Sequence, residues 1–248
     1  EDEFLVLSGD KLIEAGTIAR FVTAKPEAVL VKRVDNPGRY GVVTIEDEMV
    51  RSIIEQPGEV ADSIVSTRIY ALSREIFSSI EAGLNISDAL NSLIARGKRL
   101  YVRETGGPWL DVVYPWDILG LNALVLRQIE PTLGGIIERG VSLEGPVSVG
   151  KNTIIRSNSS VIGPVVIGDG CTIGPNACIL PATSIGSNVT IAPLTEVDNS
   201  VIADDVNLGP GGLIQDSVID QGCVIGGHFT AAAGDADIKI NGEYHSVK

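Results

Sequence analysis

Two different rhythms of apolar side chains divide the chain near residue 140. From Leu143 onward an aliphatic residue recurs at every sixth position: Leu143, Val149, Ile155, Val161, Ile167, Ile173, Ile179, Ile185, Ile191 and Val197. Two five-residue steps, into Ile202 and Ile219, interrupt a pattern that otherwise runs on through Leu208, Ile214 and Ile225. Six is a multiple of the two-residue side-chain period of a strand, so each repeat turns the same face inward. Smaller residues sit two positions earlier on that face, at Thr153, Ser159, Val165, Cys171, Ala177, Thr183, Val189, Thr195, Val206 and Cys223. Such fixed self-similarity predicts a stack of short parallel strands.

With three repeats to a coil, this region is expected to form a left-handed parallel β-helix of about five coils over residues 140–230. Gly150, Gly168, Gly174, Gly186, Gly209 and Gly226 each follow the inward aliphatic residue and mark the corners, where tight turning can call for positive φ.

Residues 1–128 carry no such repeat and read as mixed α/β. A short buried strand over 4–7 runs into Ser8-Gly9-Asp10, which places an acid at a strand's C-terminal end, where open sheets bind ligands. An amphipathic helix over 11–22 is expected next, then a strand over 28–34 and a turn at Asn36-Pro37-Gly38. Strands over 41–45 and 50–54 flank a turn at Glu46-Asp47-Glu48. Helices are expected over 74–82 and 87–96, the second capped by Ser87. A helix over 121–138 broken at Pro131, with Gly134-Gly135 as a joint, leaves 129–139 as a linker. The tail, 231–248, contains a hairpin over 238–243 with Asn-Gly at its turn.

Composition narrows the function classes. The net charge of -13 argues against an electrostatic nucleic-acid footprint. No apolar run reaches the length of a membrane span and no basic signal-peptide start is present, so a cytoplasmic protein is expected. The three cysteines, Cys171, Cys178 and Cys223, all fall among the repeats and read as free thiols.

Six blocks then appear in order: FLVLSGD, AVLVKRVDNPGRYGVV, IIEQP, IYALSREIFSSI, ISDALN and WLDVVYPWDILGLN. Together with the hexads they resemble the sugar-1-phosphate nucleotidylyltransferases, most closely the archaeal type with a C-terminal left-handed β-helix. The resemblance implies a partial nucleotidyltransferase α/β domain followed by that helix. It implies a reaction in which a sugar-1-phosphate oxygen attacks the α-phosphate of a nucleoside triphosphate and expels pyrophosphate. Asp10 and Asp111 match the carboxylates that hold Mg²⁺, and they are the implied catalytic and metal residues. Gly41, Glu55 and Gln56 match the sugar-binding positions. Homo-oligomerisation through the β-helix is implied as well.

Departures from the family pattern accompany these matches. The chain starts after the Gly-rich, basic strand-loop that cradles the nucleotide phosphates, so it resembles an N-terminally truncated relative. Gln56 stands where a phosphate-pairing Lys is usual, Asn85 where a Glu is usual, and Val113 where a Gly is usual. Two alternatives come from the repeats. One is a hexapeptide-class acetyltransferase; Pro193 and Glu196 replace its usual His and Tyr, which leaves His228 as the candidate base and His245 as a weaker one. The other is a non-catalytic oligomerisation or regulatory subunit.

Overall fold

The structure, a computed structural model, describes residues 3–23, 27–35, 37, 40–55, 63–232, 234–240 and 243–247. They form two compact units, Glu1–Asp111 and Val112–Lys248.

The first unit is built on strand β3, Ala28–Val34, whose first four residues are all buried. Around it lie β1 (Glu3–Val6), β4 (Gly41–Glu46), β5 (Met49–Glu55), β6 (Ser63–Ser73) and β7 (Tyr101–Glu104), in the order β1-β6-β3-β7-β5-β4. β3 and β7 run parallel, whereas β1–β6, β3–β6 and β4–β5 are antiparallel. Both faces of β3 are covered, which explains why its sequence is a continuous apolar run. Ala28 and Leu30 meet Phe21 of helix α1 (Ala15–Val22) on one side. Val29 and Val31 share a core with Ile76 of α2 (Ile76–Glu81) and with Ala89, Leu90 and Leu93 of α3 (Ile86–Ala95) on the other.

Two local expectations change. The helix expected over 11–22 begins only at Ala15, because Lys11–Ile13 is a strand, β2, paired antiparallel with β8 (Trp109–Asp111). A partner a hundred residues away is invisible to local periodicity. The cap of α3 is Asn85 rather than Ser87: the Asn85 carboxamide oxygen accepts from the Asp88 amide at 2.9 Å, and Ser87 is buried inside the first turn. Asn85→Ala should cost about 1 kcal/mol of stability, readable as a lower urea midpoint at unchanged slope.

The second unit opens with α4 (Asp117–Leu126), which ends well short of the helix expected over 121–138. Its Asn122 donates to the Ala182 carbonyl at 2.8 Å and accepts from the Ser184 hydroxyl at 2.6 Å, fixing the helix against the coils. The stretch expected as a linker is already coil: Ile136–Ile137 pairs in parallel with Ile154–Ile155, and Leu133 bridges to Val149. Gly134 and Gly135 are not a joint, since a side chain at Gly135 would meet the Thr153 carbonyl at 2.4 Å. Beyond them the hexads form a β-helix of three parallel sheets with six, five and six strands.

Strand partners lie eighteen residues apart in the early coils, as in Ser142↔Ser160, and seventeen apart later, as in Val201↔Val218. The two five-residue steps are the cause: each removes one residue from a corner, at Asn199 and at Asp216, and the stack keeps its register. The inward aliphatic residues from Val149 to Ile219 are buried, as are the smaller residues two positions ahead of them from Thr153 to Val206. Several of the buried hydroxyls bridge neighbouring turns, although that of Thr183 has no partner among the described residues. Thr153 donates to the Gly168 carbonyl at 2.6 Å and accepts from the Cys171 amide at 2.9 Å, which ties neighbouring turns together.

The corner glycines have a different reason from the expected one. Positive φ is supplied instead by residues such as Asn152, Asn158, Asn176 and Asn188, whose short polar side chains tolerate it. Gly168, Gly174 and Gly209 are required because a Cβ there would lie 2.4–2.6 Å from the backbone of the next coil. Gly226, on the last coil, would meet nothing within 4 Å. In the tail, Ala236–Ile240 and Glu243–Val247 pair as an antiparallel hairpin; the Asn-Gly of its expected turn lies outside the described residues.

Candidate active site in the first compact unit

The β2–β8 ladder places Lys11 directly opposite Asp111. The Lys11 ammonium lies 3.2 Å from Asp111 Oδ2 and 3.4 Å from Asp10 Oδ1, so two acids a hundred residues apart share one cation. The Lys11 and Asp111 side chains are only 3% and 5% exposed, against 43% for Asp10. An ammonium so desolvated needs its carboxylates, and they need it. Asp111 is positioned further by Tyr40, whose hydroxyl donates to Oδ1 at 3.0 Å. The Tyr40 ring leans on Trp109, with centroids 4.9 Å apart, and Trp109 and Asp111 point to the same buried face of β8.

Asp10 has its own partner, the Ser8 hydroxyl, which donates to Oδ1 at 2.6 Å. That bond chiefly holds the Asp10 carboxyl below its usual range; burial opposes it, and the Lys11 charge adds to the lowering. The stability this linkage contributes is present above the ordinary carboxylate pKa and fades as pH falls through the lowered value. Ser8→Ala should therefore raise the Asp10 pKa, as followed by NMR titration of its carboxyl carbon.

Ser8 also lines a cleft of about 640 Å³, together with Glu55, Arg68, Tyr70, Asn85 and Ser87, among others. Glu55 ends β5 opposite Gly41 in the β4–β5 ladder. A Cβ at Gly41 would stand 2.9 Å from Glu55 Oε1, so glycine leaves room for that carboxylate. Glu55 Oε1 accepts from Ser87 at 2.6 Å and Oε2 from the Arg68 guanidinium at 3.1 Å. Asn91 of α3 grips β5 two residues earlier, accepting from the Ile53 amide at 2.9 Å and donating to its carbonyl at 2.8 Å. Tyr70 packs beneath, its hydroxyl 3.1 Å from that of Ser66, and burial pushes its pKa up.

The structure thus brings Asp10 together with Asp111, and Gly41 together with Glu55; Gln56 lies outside the described residues. Sequence reasoning missed Lys11, Tyr40, Arg68 and the orienting role of Ser87. Only the neighbourhood of Lys11 to Asp10 was a local signal. Two carboxylates already arranged around a cation suit Mg²⁺, which takes one or two protein carboxylates when substrate phosphates complete its shell. The Lys11 ammonium shows where the local potential favours positive charge. Among the described residues no group of three or more His, Cys, Asp or Glu is placed to hold a metal ion.

The other candidates look different. His228 is exposed at φ 59, occupying a coil corner as the asparagines do elsewhere, and the side chain of His245 lies outside the described residues. Cys171, Cys178 and Cys223 are free thiols, and burial raises the pKa of the first two. No helix among the described residues is long and apolar enough to cross a membrane.

Comparison with known proteins supplies the family. Residues 1–128 match the family model described as "Nucleotidyl transferase", and residues 161–245 match that of the "GMPPB C-terminal domain". The chain is similar to a "Bifunctional protein GlmU" of Methanococcus maripaludis, 32% identical over 167 residues that make up 63% of this chain and 40% of the relative. It is similar to a "Bifunctional sugar-1-phosphate nucleotidylyltransferase/acetyltransferase" of Sulfurisphaera tokodaii, 32% identical over 64% of this chain and 42% of that one. A "Glucose-1-phosphate thymidylyltransferase" of Streptomyces griseus is 28% identical over 64% of this chain and 48% of its own length. The chain spans less than half the length of each of these relatives.

Proposed function

Because the chain belongs to the nucleotidyl transferase family, we propose that the complete protein is a sugar-1-phosphate nucleotidylyltransferase. It joins a sugar-1-phosphate to the α-phosphorus of a nucleoside triphosphate, forming a new P–O bond while the bond to the β-phosphate bridging oxygen breaks and pyrophosphate leaves. The convergence of Asp10 and Asp111 on one cation, with Ser8 joining Asp10 to the cleft that holds Glu55, carries this reading.

The sugar lies in the cleft, where Glu55 accepts from its hydroxyls and Ser87 keeps the carboxylate in one rotamer. Gly41 gives the Glu55 carboxylate the room it needs to do so. Asp10 and Asp111 would hold Mg²⁺, which neutralises charge on the phosphate oxygens when bound. Tyr40 and Trp109 fix Asp111, and Ser8 keeps Asp10 ionised. In-line transfer needs little covalent chemistry from the protein, so such positioning accounts for most of its task.

The β-helix serves this enzyme as an assembly module in a homo-oligomer. Three free thiols suit a reducing, cytoplasmic setting. Nothing at His228 distinguishes it from other corner residues, so the acetyltransferase reading is not preferred. Pyrophosphate release by the complete gene product, over a panel of nucleoside triphosphates and hexose 1-phosphates, tests the proposal. Release that needs Mg²⁺ and stops with EDTA is expected; no release with any pair would overturn it.

A further inference from the structure

Resting on that reading, a question of charge remains. A sugar-1-phosphate carries its anion into a site that presents the carboxylates of Asp10, Asp111 and Glu55. Lys11 is enclosed between the first two acids and is almost wholly buried. Arg68 is the one cation, among the described residues, that lines the cleft.

The backbone goes to some length to put it there. Where β6 pairs with β3, Leu30 faces Ile69 and the adjacent Val31 faces Ser66, which leaves Thr67 and Arg68 as a bulge in the ladder. Thr67 turns inward and donates to the Leu30 carbonyl at 2.7 Å. Arg68 adopts φ 60, a left-handed conformation that costs a non-glycine residue on the order of 1 kcal/mol, and its amide donates to the Ser66 hydroxyl at 3.1 Å. The bulge thereby aims a guanidinium into the cleft.

The register also fixes where along the cleft it stands. β1 ends at Val6, paired with Tyr70; two residues beyond that pair the chain reaches Ser8 on one side and Arg68 on the other, and both line the cleft. Ser8 is the residue bonded to Asp10. Arg68 therefore stands where the sugar cleft adjoins the acid pair. Its Nη2 bonds Glu55, and of the five donors of a guanidinium this is the only one bonded among the described residues.

We propose that Arg68 receives the phosphate of the sugar 1-phosphate and so sets the preference of the cleft for phosphorylated over free sugars. A planar fork with unused donors matches the oxygens of a phosphate better than a point charge does. Glu55 takes the opposite role, holding the guanidinium in place while accepting from sugar hydroxyls.

Calorimetric binding to the complete gene product tests this with glucose 1-phosphate, N-acetylglucosamine 1-phosphate and mannose 1-phosphate, each against its free sugar. Wild type should prefer at least one phosphorylated sugar by roughly 10- to 100-fold. Arg68→Gly suits the backbone at φ 60, so its melting temperature should not fall while that preference disappears and free-sugar affinity stays. Arg68→Lys should restore part of it. A phosphate preference undiminished in Arg68→Gly, an equal loss for free and phosphorylated sugars, or no preference in wild type would each overturn the proposal. Pyrophosphate release assayed in parallel separates the two readings. Release in wild type with an Arg68-independent preference sinks this inference alone; an Arg68-dependent preference without release sinks the transferase reading alone.

Discussion

Asp111→Asn in the complete gene product is expected to lower pyrophosphate release roughly 10³-fold, about 4 kcal/mol of transition-state stabilisation. The substitution keeps the shape of the side chain and its place in the β2–β8 ladder, but it should lower the melting temperature, so turnover is compared well below the variant's midpoint. It removes one of the two charges that converge on the Lys11 position, and it leaves Lys11 buried with only the half-exposed Asp10 as partner. Catalysis and cation binding should fall together, because in the proposed mechanism one carboxylate serves both. A variant that retains full turnover would detach Asp111 from the chemistry.

Gly168→Ala is expected to be severely damaging to the second unit. Its Cβ would lie 2.6 Å from the carbonyl carbon and oxygen of Gly186 and 2.9 Å from the Ser187 amide nitrogen, all backbone atoms of the next coil. Side chains can rotate away from such a contact, but a stacked strand cannot move without breaking its ladder. The Gly168 amide already donates to the Ile185 carbonyl at 2.8 Å. Overpacking of this kind costs about 3 kcal/mol, a sizeable share of an ordinary domain's stability. Stacked repeats need not unfold in one step, so hydrogen exchange suits the case: amides around 167–187 should lose protection. Gly226→Ala, which meets nothing within 4 Å, is the matched control and should change little. Equal effects at both sites would refute the close-approach explanation.

The contrast between those two glycines shows where sequence reasoning reaches and where it stops. Periodicity identified the inward positions of the β-helix, since a six-residue repeat imposes the same burial on every coil. It located the corners too, but not their cause. Whether a glycine answers to φ or to a neighbouring backbone depends on the stack above it, which the next five residues do not reveal. The first coil was missed although Ile137 stands one six-residue step before Leu143, because the stretch was read as the end of a broken helix; its pairing to Ile154–Ile155 makes it coil. Likewise Lys11-Leu12-Ile13 fits a helical face when joined to the apolar positions of α1; only Trp109–Asp111 makes it a strand.

The candidate site divides along the same line. Asp10, Gly41, Glu55 and Asp111 were legible through resemblance, because their chemistry is tied to residue type at ordered positions. Ser87 read as a cap from its place before an apolar run, whereas the structure gives that task to Asn85 and turns Ser87 to Glu55. Arg68 carried no local sign at all. Its position follows from a bulge in long-range pairing, and no pattern within β6 announces φ 60 at an arginine.

The central claim is that Asp10 and Asp111 form a single cation site. Crystals of the complete protein soaked with Mn²⁺ and a sugar 1-phosphate test it through anomalous scattering. One peak in direct ligand contact with an oxygen of each carboxylate, with the Lys11 ammonium displaced from between them, is the result expected. A manganese ion coordinated elsewhere, with Lys11 still bridging the two acids, would contradict it.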